Sequence, residues 1–236
     1  MQPRTLRAVK LLVYWLPLVI SYMLYEYLRN KASSISIGGA VDFTWLKNID
    51  SLYILHNGCY HSVFQTSNYI LDLLSGIVYY IHPFDIGLLA LFFTLKNRQQ
   101  DLLRLSLSFV LTAYPGLLLY MLKPSAPPWI TCFDSFERKN LVIEKFLLNH
   151  GFPVYRDPFP IGSFPSLHVG FAVLFSLFLY ESKNTYAKIF AIIFPLLIVF
   201  DTIYTANHYI FDCITGFLIA VTGYTIANMY IKNKKR

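Results

Sequence analysis

Six stretches of this 236-residue chain, at about 8–28, 69–95, 102–122, 166–181, 186–204 and 208–231, approach the roughly 20 mostly apolar residues that cross the hydrocarbon core of a bilayer. Each is bounded by charge or by helix breakers: Lys96 to Arg104 divides the second from the third, Lys123-Pro124 ends the third, and Glu181 to Lys188 divides the fourth from the fifth. With no water inside a bilayer, the backbone of such segments must bond to itself, and helices do this within one segment. The expected fold is therefore all-α, a polytopic bundle of six transmembrane helices. Hydrophobic residues make up 56% of the chain and charged residues 14%, against about 45–50% and 25% in soluble domains, which excludes an ordinary water-soluble globule. No linker, low-complexity tract or repeat divides the chain, so residues 1–236 read as one membrane-embedded domain. The first stretch is too long for a signal-peptide core and is expected to stay as an anchor. The second carries Asp72, His82, Pro83 and Asp85, and is expected either to kink near Pro83 or to begin later than residue 69.

Lys and Arg number 20 against 13 Asp and Glu, an excess that points to nucleic acid only when it forms a patch on a polar surface. Here twelve of the basic residues fall before the first stretch, in two short connections and in the tail, all on one side if six helices alternate. The other eight are spread over two long loops. Positive charge in short segments marks the cytoplasmic side, so both termini are expected there. Membrane insertion accounts for the basic excess, and no nucleic-acid partner is implied. Nothing in the sequence calls for an obligate protein partner.

This topology brings three polar segments to the outer, extracytoplasmic face. The third stretch ends in Lys123-Pro124-Ser125-Ala126-Pro127-Pro128-Trp129, the fourth begins in Phe164-Pro165-Ser166-Leu167-His168-Val169-Gly170, and the sixth in Asn207-His208-Tyr209-Ile210-Phe211-Asp212. His208 and Asp212 are one helical turn apart, a spacing that puts both side chains on one face. A carboxylate there accepts one ring N–H and leaves the other nitrogen as base or nucleophile; a buried structural pair has the same spacing. Pro165-Ser166 has the form of a helix start with Ser166 as N-cap. The first amides of that helix would suit a phosphate, and His168 in its first turn could act as general acid or simply top the helix at headgroup level.

Together the segments resemble the type 2 phosphatidic-acid phosphatase superfamily, the lipid phosphatases and phosphotransferases related to vanadium haloperoxidases. The family pattern of Pro-Ser-x-His followed by His-x-x-x-Asp reads here as Pro165-Ser166-Leu167-His168 and His208-Tyr209-Ile210-Phe211-Asp212. In detail the chain is most similar to the branch of inositol phosphorylceramide synthases, through Ala126 to Trp129, Gly162 to Val173, and Tyr204 to Asp212 with Gly216 beyond.

The resemblance implies a lipid phosphoester substrate and a two-step displacement. His208 attacks phosphorus to form a phosphohistidine, Asp212 supports the imidazole, and His168 protonates the departing oxygen and later activates the acceptor. No metal or other cofactor is implied. The wider family presents an Arg just before the first Pro of its opening motif and another six residues before the nucleophilic His. This chain has Ala126 or Pro127 and Thr202 there. Lys123, the amides at Ser166 and His168, and Arg156 are the candidates to meet phosphate charge, with Pro127 and Tyr204 in the matched segments as further substrate contacts. Lys123 can equally snorkel at a helix end, and Arg156 can pair with Asp157. Fewer cations favour a phosphodiester donor over a dianionic monoester, and so head-group transfer.

Other features are weighed more briefly. Asp72, Asp85 and Asp201 are intramembrane carboxylates without an obvious partner, Asp201 being the one best placed to reach the site. Tyr79, Tyr80, Trp129, Tyr204 and Tyr209 read as an interfacial belt. Cys59, Cys132 and Cys213 fit neither a disulfide scaffold nor a metal-ligand spacing. The outer loop, about 123–165, is expected to roof the site, with Leu141 to Leu148 as a short amphipathic helix. Two alternatives stay open: hydrolysis of a lipid phosphate to the free alcohol, and a non-enzymatic lipid carrier or transporter. A plasma membrane and a secretory-pathway membrane predict the same topology.

Overall fold

A computed structural model describes residues 4–32, 44–53, 59, 68–132, 141–152 and 162–233; Arg156, Asp157 and the last three basic residues lie outside them. In chain order the helices are α1 (Arg4–Ala32), α2 (Trp45–Tyr53), α3 (Tyr69–Ile81), α4 (Asp85–Leu95), α5 (Gln99–Leu122), α6 (Pro128–Thr131), α7 (Leu141–Asn149), α8 (Leu167–Tyr180), α9 (Thr185–Tyr204) and α10 (Ile210–Asn233). Each of the six apolar stretches is helical. Among the described residues, four segments are long and apolar enough to cross a membrane: Tyr69–Leu95, Gln99–Leu122, Thr185–Tyr204 and Ile210–Asn233. The apolar α8 has 14 residues, about 21 Å at 1.5 Å per residue and so shorter than the roughly 30 Å hydrocarbon core.

The kink expected at Pro83 is a 3-10 turn, His82–Phe84, between α3 and α4. Proline lacks an N–H and its ring collides with the preceding turn, so the helix restarts at Asp85. The short helix expected at 141–148 is α7. It packs on α3, where Gly76 leaves room for Ile143: a Cβ on that glycine would stand 2.5 Å from Ile143 Cγ2.

The core is built around α5, which packs against α1, α4, α8 and α10. Leu102, Leu105, Phe109, Ala113 and Leu117, spaced at three and four residues, are buried on it. By contrast Ile192, Ile193, Leu196 and Phe200 of α9 are exposed, an apolar exterior suited to lipid. At one end of the bundle Glu181 accepts bonds from Arg104 and Tyr224, tying α5, α8 and α10 together. The polar segments gather at the other end.

Candidate active site

The segment after α5 runs extended and bonds to the strand-like lead into α8. Ser125 and Gly162 form an isolated parallel bridge, and Ser163 N donates to Ser125 O at 3.1 Å. Beyond it, Ser166 caps α8 as expected, its Oγ accepting from Val169 N, and its own amide donates to the Asp212 carbonyl at 3.0 Å. The approach of α8 to α10 here is very close. A Cβ on Gly216 would lie 2.0 Å from the Ser166 carbonyl oxygen, so only glycine fits.

His208 stands outside α10, which begins at Ile210, two residues later than the sequence suggested. Its proximity to Asp212 therefore comes from the turn before the helix and not from a shared helical face. That turn is tied to the end of α9, where Thr202 O accepts from Asn207 N and His208 N at 3.0 and 3.2 Å. The first amides of α10 are capped from far upstream: Asp50, on α2, accepts from Ile210 N and Phe211 N at 3.0 and 3.2 Å. Sequence reading missed Asp50, because a cap 160 residues away leaves no local signature.

The tautomers at the centre follow from the partners. His208 Nδ1 lies 3.0 Å from the Ser163 carbonyl oxygen and 3.2 Å from Asp212 Oδ2. Both are acceptors, so Nδ1 carries the proton and Nε2 presents a lone pair in the neutral ring. That Nε2 is 3.1 Å from His168 Nδ1, which must then be the donor. Asp212, fully buried, also receives Ser163 Oγ at 2.7 Å and Tyr209 N at 3.1 Å. Ser163 was not singled out in the sequence, although it lies in the matched Gly162 to Val173 segment; it holds both members of the His–Asp pair.

A third histidine joins them. The His82 ring lies 5.5 Å from that of His168, and Tyr79 lies 4.6 Å from it on another side. His82 Nδ1 is 3.1 Å from Asp85 Oδ2 in a buried pair. Asp72 accepts from Tyr204 Oη at 2.5 Å and Asp201 accepts from Ser75, so all three carboxylates that lacked a partner in the sequence have one. Four tyrosines of the expected aromatic belt also have specific partners. Tyr79 faces His168, Tyr80 donates to Glu144, Tyr204 bonds Asp72, and Tyr209 is wholly buried with its hydroxyl 2.5 Å from Thr131 Oγ1.

His168 and His208 open on a cavity of about 910 Å³. Its polar end is lined by Ser163, Asn207, His82 and the two histidines, and its apolar end reaches Leu18, Val19, Phe84 and Phe109. Pro127 and Trp129 border it. Lys123, Ser166 and Tyr204 are not among its lining residues: Lys123 Nζ lies 5.3 Å over the Trp45 ring, Ser166 is occupied as cap, and Tyr204 is held by Asp72. Among the described residues no group of three or more His, Cys, Asp or Glu side chains is arranged to hold a metal ion. Cys59 and Cys132, given no chemistry from spacing, form a disulfide, while Cys213 is a buried free thiol.

The chain is 27% identical over 179 residues to the catalytic subunit of inositol phosphorylceramide synthase from Schizosaccharomyces pombe, an alignment that covers 69% of this chain and 42% of the yeast protein. The chain thus spans less than half the length of that relative. No solved structure matches it. The family model of the PAP2 superfamily matches residues 44–226, a range that contains both histidines, Asp212 and Ser163. This chain belongs to the PAP2 superfamily.

Proposed function

We propose that the protein is a membrane phosphotransferase that moves the phospho-head group of a lipid phosphodiester to an alcohol acceptor through a phosphohistidine. The observation that carries the reading is the His208–His168 contact, with the proton on each ring assigned by Asp212 and the Ser163 carbonyl. The similarity to an inositol phosphorylceramide synthase subunit supports a phosphodiester donor. The apolar reach of the cavity suits the lipid's tails.

The free enzyme holds both reacting groups ready. His208 Nε2 has the lone pair, and His168, entering the step as the imidazolium, has on Nδ1 the proton it gives up to become the neutral ring. A donor phosphate entering between them breaks the His168–His208 bond and replaces it with His168 Nδ1–H against the leaving oxygen. Nε2 of His208 then attacks phosphorus, the bond to the diacylglycerol oxygen breaks, and that oxygen takes the proton from His168. His168 is left with a vacant Nδ1, which removes the proton of the incoming hydroxyl as it attacks the phosphohistidine and returns Nε2 to His208. Positive charge on His208 during the first step is met by Asp212, which already faces its Nδ1–H. Of the expected roof, about 123–165, residues 133–140 and 153–161 lie outside the described residues, while Pro127, Trp129 and Glu144 of α7 line the cavity wall.

The test is turnover of phosphatidylinositol with a long-chain alcohol acceptor, beside phosphatidate and a polyprenyl diphosphate, by purified protein in detergent with EDTA. We expect head-group transfer from the diester by the wild type and loss of at least 10³-fold in His208→Ala. Release of free phosphate from monoesters at a higher rate replaces the transferase with a phosphatase. No turnover on any lipid by a folded protein moves the assignment to a carrier.

A further inference from the structure

The family's two phosphate-binding arginines have no counterpart here, and Lys123 is engaged with Trp45 outside the cavity wall. Among the described residues that line the cavity, a single one is Lys or Arg: Arg29, in the last turns of α1. We propose that Arg29 is the cation that receives the phosphate of a phosphodiester lipid, and that Glu26 holds its guanidinium in place until the lipid arrives. The inference rests on the lipid-phosphoester reading above and names the group that meets the phosphate's charge.

Register places Arg29 at the right depth. Trp15 Nε1 donates to Thr94 Oγ1 at 2.7 Å, and Phe93 beside it packs on Phe178 with ring centres 5.7 Å apart. Ten residues along α1, Tyr25 packs on Phe171 at 6.1 Å. Rising α1 numbers therefore run against falling α8 numbers, and the two helices are antiparallel. One further turn carries α1 from Tyr25 to Arg29 on the same face, and one turn back carries α8 from Phe171 to Leu167 and His168. Arg29 is thus level with the reacting histidine. Helical side chains lean toward the N-terminus, so the guanidinium reaches down over the Tyr25–Glu26 turn and toward the cavity. There it sits 3.6 Å from Glu26 Oε1 with its side chain 17% exposed, longer than a formed hydrogen bond and a contact that a phosphate can replace with a paired, fork-like one.

Charge balance sets the class of ligand. Two carboxylates, Glu26 and Glu144, line the same cavity as the one guanidinium. A phosphodiester brings one negative charge and needs one cation. A monoester dianion brings a second charge, which this lining repels.

Trp15 and Trp129 line the cavity, so intrinsic fluorescence of the detergent-solubilised full chain reads occupancy without any need for turnover. The probes are dioctanoyl phosphatidylinositol, dioctanoyl phosphatidate and dioctanoylglycerol, which share tails and differ in charge. Wild type is expected to bind the inositol diester more tightly than phosphatidate. Arg29→Gln should weaken diester binding at least tenfold while changing dioctanoylglycerol binding less than twofold, with Arg29→Lys between. Glu26→Gln should tighten diester binding several-fold, an effect opposite to that of structural damage. Equal diester affinity in wild type and Arg29→Gln overturns the proposal, as does a parallel loss for dioctanoylglycerol or no diester binding by wild type. A turnover assay with His208→Ala alongside separates the two failures. If His208→Ala loses transfer and Arg29→Gln keeps wild-type kinetics, the transfer reading stands and Arg29 falls; if wild type binds the diester through Arg29 but transfers nothing, the site stands and the chemistry falls.

Discussion

At the scale of single residues, the proton on His208 is held by oxygens that only accept. Ser163 O and Asp212 Oδ2 both face Nδ1, and Asp212 Oδ2 is itself fixed by Ser163 Oγ and the Tyr209 amide. Asparagine at 212 keeps the size but can turn an NH₂ toward Nδ1, which moves the ring proton to Nε2 and removes the lone pair that we propose attacks phosphorus. We expect Asp212→Asn to lower kcat by about 10²- to 10⁴-fold with KM for the lipid within a few-fold of wild type, since the cavity is untouched. Ser163→Ala removes one of Asp212's donors but leaves the backbone carbonyl in place, so its loss should be smaller by at least tenfold. Equal losses in the two variants, measured as steady-state rates on the same donor, would assign the tautomer to something other than the carboxylate.

At the scale of elements, two helix starts define the site and neither is fixed by its own sequence alone. The lead into α8 is held by Ser125 and by Asp212's carbonyl, and α10 is capped by Asp50 of α2. The α8–α10 approach depends on Gly216, and a methyl group there meets a backbone oxygen that has no rotamer to escape to. Gly216→Ala should therefore cost about 1–3 kcal/mol of stability and separate His168 from His208, so that activity falls further than melting temperature suggests. Asp50→Ala leaves the α8–α10 contact intact and removes the cap; about 1 kcal/mol is expected, with activity lost in proportion. Thermal melts in detergent beside initial rates distinguish the two patterns. A Gly216→Ala protein with wild-type stability and rate would mean that the α8 start can shift.

At the scale of the whole molecule, the sequence made the six apolar stretches, the break at Pro83, the short helix at 141 and the Ser166 cap legible, because each is a local pattern of hydropathy or capping. The histidines and Asp212 were legible through motif spacing. What escaped were pairings across distance: Asp50 with α10, His82 with His168, Tyr204 with Asp72, and Arg29 in one cavity with His168. Sequence spacing carries no record of which helices become neighbours, so a tyrosine near a helix end looks interfacial even when its hydroxyl is buried against a carboxylate. Lys123 looked close to the site in number, yet its ammonium lies over an indole. The bond between Cys59 and Cys132 has a consequence for orientation. Cys132 Sγ is 3.6 Å from the hydroxyl of Tyr209, next to His208, so the bridge marks the histidine end of the bundle. Thiols that meet in a reducing cytosol stay apart, and bridges last on the other side; the disulfide thus argues for sidedness independently of the basic residues that suggested it. A membrane-impermeant reductant followed by a maleimide should label Cys59 and Cys132 in right-side-out vesicles and spare them in inverted ones. The reverse pattern would turn the molecule over. Once the bridge is cut, the denatured chain regains the freedom of a segment 73 residues long, worth up to roughly 4 kcal/mol, so the histidine end should melt first and the redox state of the outside medium should govern how long the enzyme lasts.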